Sequence, residues 1–224
     1  MIIRRLQLLL VCAGTAALAT AEPQFDVSVI NTESAASQTV LAGYFSNEET
    51  ADLAIISVTD EGRRNVRFYG VEGGFYSAEP RAELPVPKDV ILVDVCRNGK
   101  RDSLIFFTRD SVLRFDTEGG STRLAEVSSM YTRPIRDSVP AMNFCRDLND
   151  DQHDDLIVPG FHGFEVLIYT NDGYEKSVSV EAPPRMEMSY EDDPWYQAHA
   201  VYRADMNFDK RRDVGVWIDE HVLV

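Results

Sequence analysis

The sequence predicts an all-β protein, a β-propeller of four-stranded blades with three complete blades and part of a fourth. Three observations carry that expectation. An acidic loop recurs at a spacing near fifty residues, β-type runs flank its copies, and no segment of more than a few residues beyond the N-terminus has helical periodicity. The clearest copies are DLNDDQHDDLIV from Asp147 and DMNFDKRRDVGV from Asp205, each with Asp, Asn, Asp and Asp at positions one, three, five and nine. Sliding the template backward finds Asp94, Asn98, Gly99 and Asp102 in register, with Cys96 at position three, and then a first copy holding Ser46, Glu48 and Asp52. The ninth-position residues Asp52, Asp102, Asp155 and Asp213 are 50, 53 and 58 residues apart, a period that suggests a propeller or solenoid.

Each unit is justified by its runs. Thr39 to Phe45, Val90 to Val95, Ala141 to Cys145 and His199 to Tyr202 precede the loops, and Leu53 to Val58, Leu104 to Thr108, Leu156 to Pro159 and Val214 to Ile218 follow them. A third run comes next in Val66 to Tyr69, Val112 to Phe115 and Val166 to Tyr169, then a Gly-containing turn and a weaker fourth run. Units fall near 39–88, 89–138, 139–190 and 197–224, the last with three strands at most. A propeller closes with about four to eight blades, so the expectation is a fragment of a longer propeller or one that closes by association.

The N-terminus reads as a cleavable secretory signal over residues 1–21: Arg4 and Arg5, an apolar run from Leu6 to Ala19, and Ala19-Thr20-Ala21 before Glu22. The expected location is therefore secreted or periplasmic, with no membrane insertion once the signal is removed. The formal charge is −15. Such an acidic surface argues against nucleic acid, which needs Lys and Arg to neutralise phosphates, and makes cations the natural partners. Cys96 and Cys145 remain after processing, in a compartment that permits disulfides. By repeat register they sit near the same end of neighbouring inner strands, either bridged or as two free buried thiols.

The loops supply hard oxygen donors. Alternating Asp or Asn turns successive side chains inward, and position seven offers a carbonyl, as in the front half of the EF-hand loop. The EF-hand likeness stops at position twelve, which is Val158 or Val216 where a bidentate Glu is needed. The pattern instead resembles the FG-GAP/VCBS repeat family, whose integrin-alpha-like propeller blades carry a DxDxDGxxD calcium loop between their first two strands. Under that resemblance Asp147, Asn149, Asp151 and Asp155 bind one structural calcium ion and Asp205, Asn207, Asp209 and Asp213 another, with His153 and Arg211 contributing backbone carbonyls. Asp94, Asn98 and Asp102 form a weaker set, and the first loop is expected to hold no metal. Gln152 and Lys210 stand where the family has glycine, and a left-handed turn there strains a non-glycine residue by about 1 to 2 kcal/mol. The alternative for all these aspartates is turn capping, since Asp and Asn bond nearby backbone.

No catalytic constellation appears. His153, His162, His199 and His221 are scattered, and there is no GxSxG elbow or phosphate-binding glycine loop. Pro183 to His199 gathers Tyr190, Trp195 and Tyr196 around Glu191, Asp192 and Asp193, either a surface for a sugar or protein or an ordinary connection with a packed Trp. The resemblance implies an exported, calcium-stabilised binding, adhesion or scaffold module with a protein or glycan ligand. The alternative is the propeller portion of a secreted hydrolase or polysaccharide-active enzyme whose catalytic part lies elsewhere.

Overall fold

The structure is a computed structural model that describes residues 29–30, 32, 35–117, 120–131, 133–171 and 173–181, with residue 206 and the backbone of the strands at 185–188, 194–197, 201–204, 213–218 and 221–223. The expected signal segment and cleavage site lie outside the described residues. The described chain is all-β, as its runs predict, with no helix among the described residues.

The first sheet is built from β1 (Ser37–Gly43), β2 (Asp52–Val58) and β3 (Arg64–Tyr69), then, past the small hairpin β4 (Val71–Glu72) and β5 (Phe75–Tyr76), from β6 (Ala82–Pro85), in the order β1-β2-β3-β6. The second contains β7 (Leu92–Asn98), β8 (Arg101–Phe107), β9 (Ser111–Phe115) and β10 (Ser121–Glu126), and the third β11 (Cys145–Arg146), β12 (Asp155–Gly160), β13 (Gly163–Thr170) and β14 (Gly173–Glu181). In both, neighbours in the sheet are neighbours in the chain, and every pairing is antiparallel. The hairpin β15 (Arg185–Met188) with β16 (Pro194–Gln197) then leads to a three-stranded sheet of β17 (Val201–Ala204), β18 (Asp213–Ile218) and β19 (His221–Leu223). The aromatic segment from Pro183 to His199 thus contains a hairpin in which Glu187 faces Trp195.

Packing follows from period-two alternation in strands that are apolar on both faces. Leu104 and Phe106 of β8 join a core with Ala54, Ile56, Val58, Val66 and Phe68 of the first sheet. Ile105 and Phe107, pointing the other way, join Leu156, Val158 and Leu167 of the third, with Phe144 just before β11. The second sheet is therefore a filled middle layer. Its first strand also lies against the chain leading into β11: Val93 donates to the Pro140 carbonyl at 3.0 Å and accepts from the Met142 amide at 2.9 Å, a parallel contact. The run expected over Ala141 to Cys145 is spent on that contact, and β11 itself has only two residues. The loop-bearing ends of β7 and β11 are thereby brought side by side.

Candidate metal centre

The third loop, residues 147–154, is closed by the pair Arg146 and Asp155. Its geometry follows from short polar side chains that bond their own backbone. Asp147 accepts the Asp151 amide on Oδ1 at 3.2 Å and the Gln152 amide on Oδ2 at 3.1 Å. Asn149 Oδ1 accepts the Asp151 amide at 3.1 Å, and Asp151 Oδ1 the His153 amide at 2.8 Å. Asp155 is fully buried and accepts the amides of Leu148 on Oδ2 and Tyr169 on Oδ1, both at 2.8 Å. Asp150 and Gln152 have φ of 64° and 71°, so position six adopts the left-handed turn expected of it, on glutamine. The His153 ring stacks on Tyr169 with centroids 4.6 Å apart, leaving its main chain as the part nearest the template role.

Burial pushes the Asp155 carboxyl above its ordinary range despite the two amides, and the charges of Asp151 and Asp147 push the same way. Burial does the same to Asp154, whose amide hydrogen bonds oppose it. This is a crowded, partly dehydrated set of like charges. The donors are all oxygen and suit a hard cation in kind. Each amide-bound oxygen keeps a second lone pair. They are not gathered into a cage: among the described residues no three His, Cys, Asp or Glu side chains converge as a metal-holding group. The loop as it stands is closed by its own amides, and Asn149 Nδ2 also donates to Asp151 Oδ2 at 3.0 Å.

The second set lies on a tighter connection than the repeat register suggests. Strand β7 runs to Asn98 and β8 starts at Arg101, so the connection is a two-residue turn, Gly99-Lys100, with φ of 67° at Gly99. Asp94 lies within the strand opposite Ile105, not at the head of a loop. Its Oδ2 accepts the amides of Phe144 at 2.6 Å and Cys145 at 2.9 Å, toward the third sheet. Asp102 Oδ2 accepts the Tyr44 amide at 2.9 Å, toward the first sheet. The two carboxylates thus accept amides from opposite neighbours. Burial pushes the Asp94 carboxyl up to about 6 against three amide bonds that lower it, and the Asp154 charge adds to the rise.

The same device recurs one sheet on. Asp102 and Tyr44 exchange two hydrogen bonds, the Asp102 amide donating to the Tyr44 carbonyl at 3.1 Å. Asp154 and Arg97 do likewise, at 2.7 Å from the Arg97 amide to Asp154 Oδ2 and 2.8 Å from the Asp154 amide to the Arg97 carbonyl. Sequence reading missed this role, because an aspartate clasping the next sheet looks like one more loop acid. Cys96 and Cys145 are bridged, with Cα atoms 5.1 Å apart, which resolves the open alternative. A cleft of about 690 Å³ opens here between the three sheets, lined by Arg97, Asp102, Arg146, Asp147, Asp150 and Asp154 among others.

Of the fourth set, Asp205, Asn207, Asp209 and Arg211 lie outside the described residues, while Asp213 opens β18 opposite Ala204. That closing pair brackets eight residues, as do Arg146 with Asp155 and Gly43 with Asp52. Comparison with protein-family models, with curated proteins and with solved structures found no match for this chain.

Proposed function

We propose that this chain is a calcium-stabilised series of β-propeller blades of the FG-GAP/VCBS kind, exported and serving as a binding, adhesion or scaffold module. The observation that carries this reading is the third loop: a nine-position oxygen series whose first carboxylate receives the amides of positions five and six, with position six left-handed. Three further features support it. The three four-stranded sheets pair their strands along the chain, their inner ends are clasped by aspartates, and they pack face to face through two apolar layers. The cleft at the loop end is the natural approach for a ligand, and Arg97 and Arg146 beside four aspartates suit a polar one.

In this proposal Asp147, Asn149, Asp151 and Asp155, with the His153 carbonyl, hold the ion, and its charge offsets the burial and, after it, the neighbouring acids that raise Asp155. The role is structural. Thermal melting of the chain in chelator and in millimolar calcium tests it: preferential binding to the folded state raises the midpoint, by about 2.7 kcal/mol of stability at a hundredfold excess over Kd. The pair D147A and D151A should reduce that rise. An unchanged midpoint at millimolar calcium sinks the proposal.

A further inference from the structure

The first loop, residues 44–51, shares the third loop's length but is surrounded differently. Basic side chains stand at Ser46, Glu48 and Asp52, positions three, five and nine of the template. Arg81 Nη1 lies 3.2 Å from Ser46 Oγ and 3.8 Å from Asp52 Oδ1, and Lys100 Nζ reaches across from the second sheet's turn to within 3.4 Å of Glu48 Oε2. Asp52 is 2% exposed. Its Oδ2 accepts the Ser46 amide at 2.8 Å, whereas its buried Oδ1 has no hydrogen bond at all. A carboxylate oxygen removed from water with no donor needs a positive charge nearby, and the Arg81 guanidinium is that charge.

Arg81 is well held. Its amide donates to the Phe68 carbonyl at 2.7 Å, Nη2 donates to the Val71 carbonyl at 3.4 Å, and the same nitrogen lies 3.9 Å from Glu72 Oε1. The guanidinium passes directly over Gly70, where an added Cβ would stand 1.9 Å from Cζ. In the third loop, by contrast, no Lys or Arg pairs with Asp147, Asp151 or Asp155 among the described residues; Asp151 Oδ1 has His153 Nδ1 at 3.5 Å.

We infer that Arg81, assisted by Lys100, is a tethered cation for the first loop, standing where a divalent ion would engage Ser46, Glu48 and Asp52, so that this loop closes without metal. The inference takes the ligand positions from the proposed function but does not require the third loop to bind calcium. Its corollary is a latent ion site that opens when the guanidinium is withdrawn.

The test compares melting midpoints of the parent chain, R81Q, R81K and G70A, each in chelator and in millimolar calcium. In chelator R81Q and G70A should melt about 2–4 °C below the parent, while R81K, which keeps the charge, loses less. In calcium the gap between parent and both variants should shrink by half or more. An arginine with a merely packing role leaves the gap unchanged in calcium, and that result overturns the inference, as does the absence of any gap in chelator. If R81Q does not fold, G70A carries the same comparison, because it displaces the guanidinium without removing it. Should the proposed function fail, the parent shows no calcium response, yet closure of the gap is still readable.

Discussion

The first and third loops have the same length, are closed by an equivalent strand pair and bury an aspartate at their ninth position. They balance that aspartate in different ways. In the first, Asp52 receives one amide and the approach of Arg81, with Lys100 on Glu48. In the third, Asp155 receives two amides, and Asp147 and Asp151 take theirs from Asp151, Gln152 and His153. Asx-type hydrogen bonding sets the backbone of both loops, and only the first adds basic side chains from outside the loop to its acids.

The largest effect that would sharpen this contrast is reduction of the Cys96–Cys145 bridge, which ties the root of the third loop to the second sheet and leaves the first loop untouched. A crosslink spanning 49 residues contributes about 4 kcal/mol. Reduced protein, or C96A with C145A, should lose that amount and also the calcium-dependent gain, while the Arg81 contribution survives. Equal loss of both would erase the distinction between the loops.

Next in size is the pH response of the acids between the second and third sheets. Asp94 rises from an ordinary 3.8 to about 6 through burial, and Asp154 and Asp155 are raised by the same cause. A carboxyl whose folded value exceeds its unfolded value contributes stability that is complete below about pH 4 and lost as pH climbs through about 6. For Asp94 this amounts to roughly 2–3 kcal/mol. The stability of D94N relative to the parent should therefore improve by that order between pH 4 and pH 7, measured by urea unfolding in chelator. A difference that stays flat with pH would show that Asp94 is better solvated than its surroundings indicate.

The smallest expected effect separates the two backbones. Gln152 at position six has φ of 71°, while the corresponding Glu49 is not in the left-handed region. Q152G should gain about 1 kcal/mol by relieving the left-handed strain, and E49G should lose about 0.5–1 kcal/mol through backbone entropy alone. Opposite signs in chemical unfolding support the distinction; matching signs break it.

Much of the fold was legible because its strands are continuous apolar runs: DLAIISV and DSLIFF sit almost where hydrophobic patterning places β2 and β8. The third loop was legible as a tight polar turn because Asp147, Asn149 and Asp151, at alternating positions, are short side chains that bond nearby backbone amides. The shape of the second copy was not legible, because spacing alone cannot tell a loop acid from a strand acid: Asp94 and Asp102 are nine-position partners in sequence, yet β7 continues through four of the residues between them. The Asn98-Gly99 dipeptide, a strong hairpin signal, was the clue that this copy is a tight turn.

By itself the sequence determined the all-β class, the strand order within each unit and the chemistry of the loop donors, since these depend on local periodicity and side-chain type. Only the tertiary structure decided which carboxylates clasp a neighbouring sheet, that Cys96 and Cys145 are joined, and that Arg81 and Lys100 arrive over the first loop. Those outcomes depend on residues from different strands and sheets meeting in space, and no local pattern encodes the approach of Arg81 to an aspartate twenty-nine positions earlier.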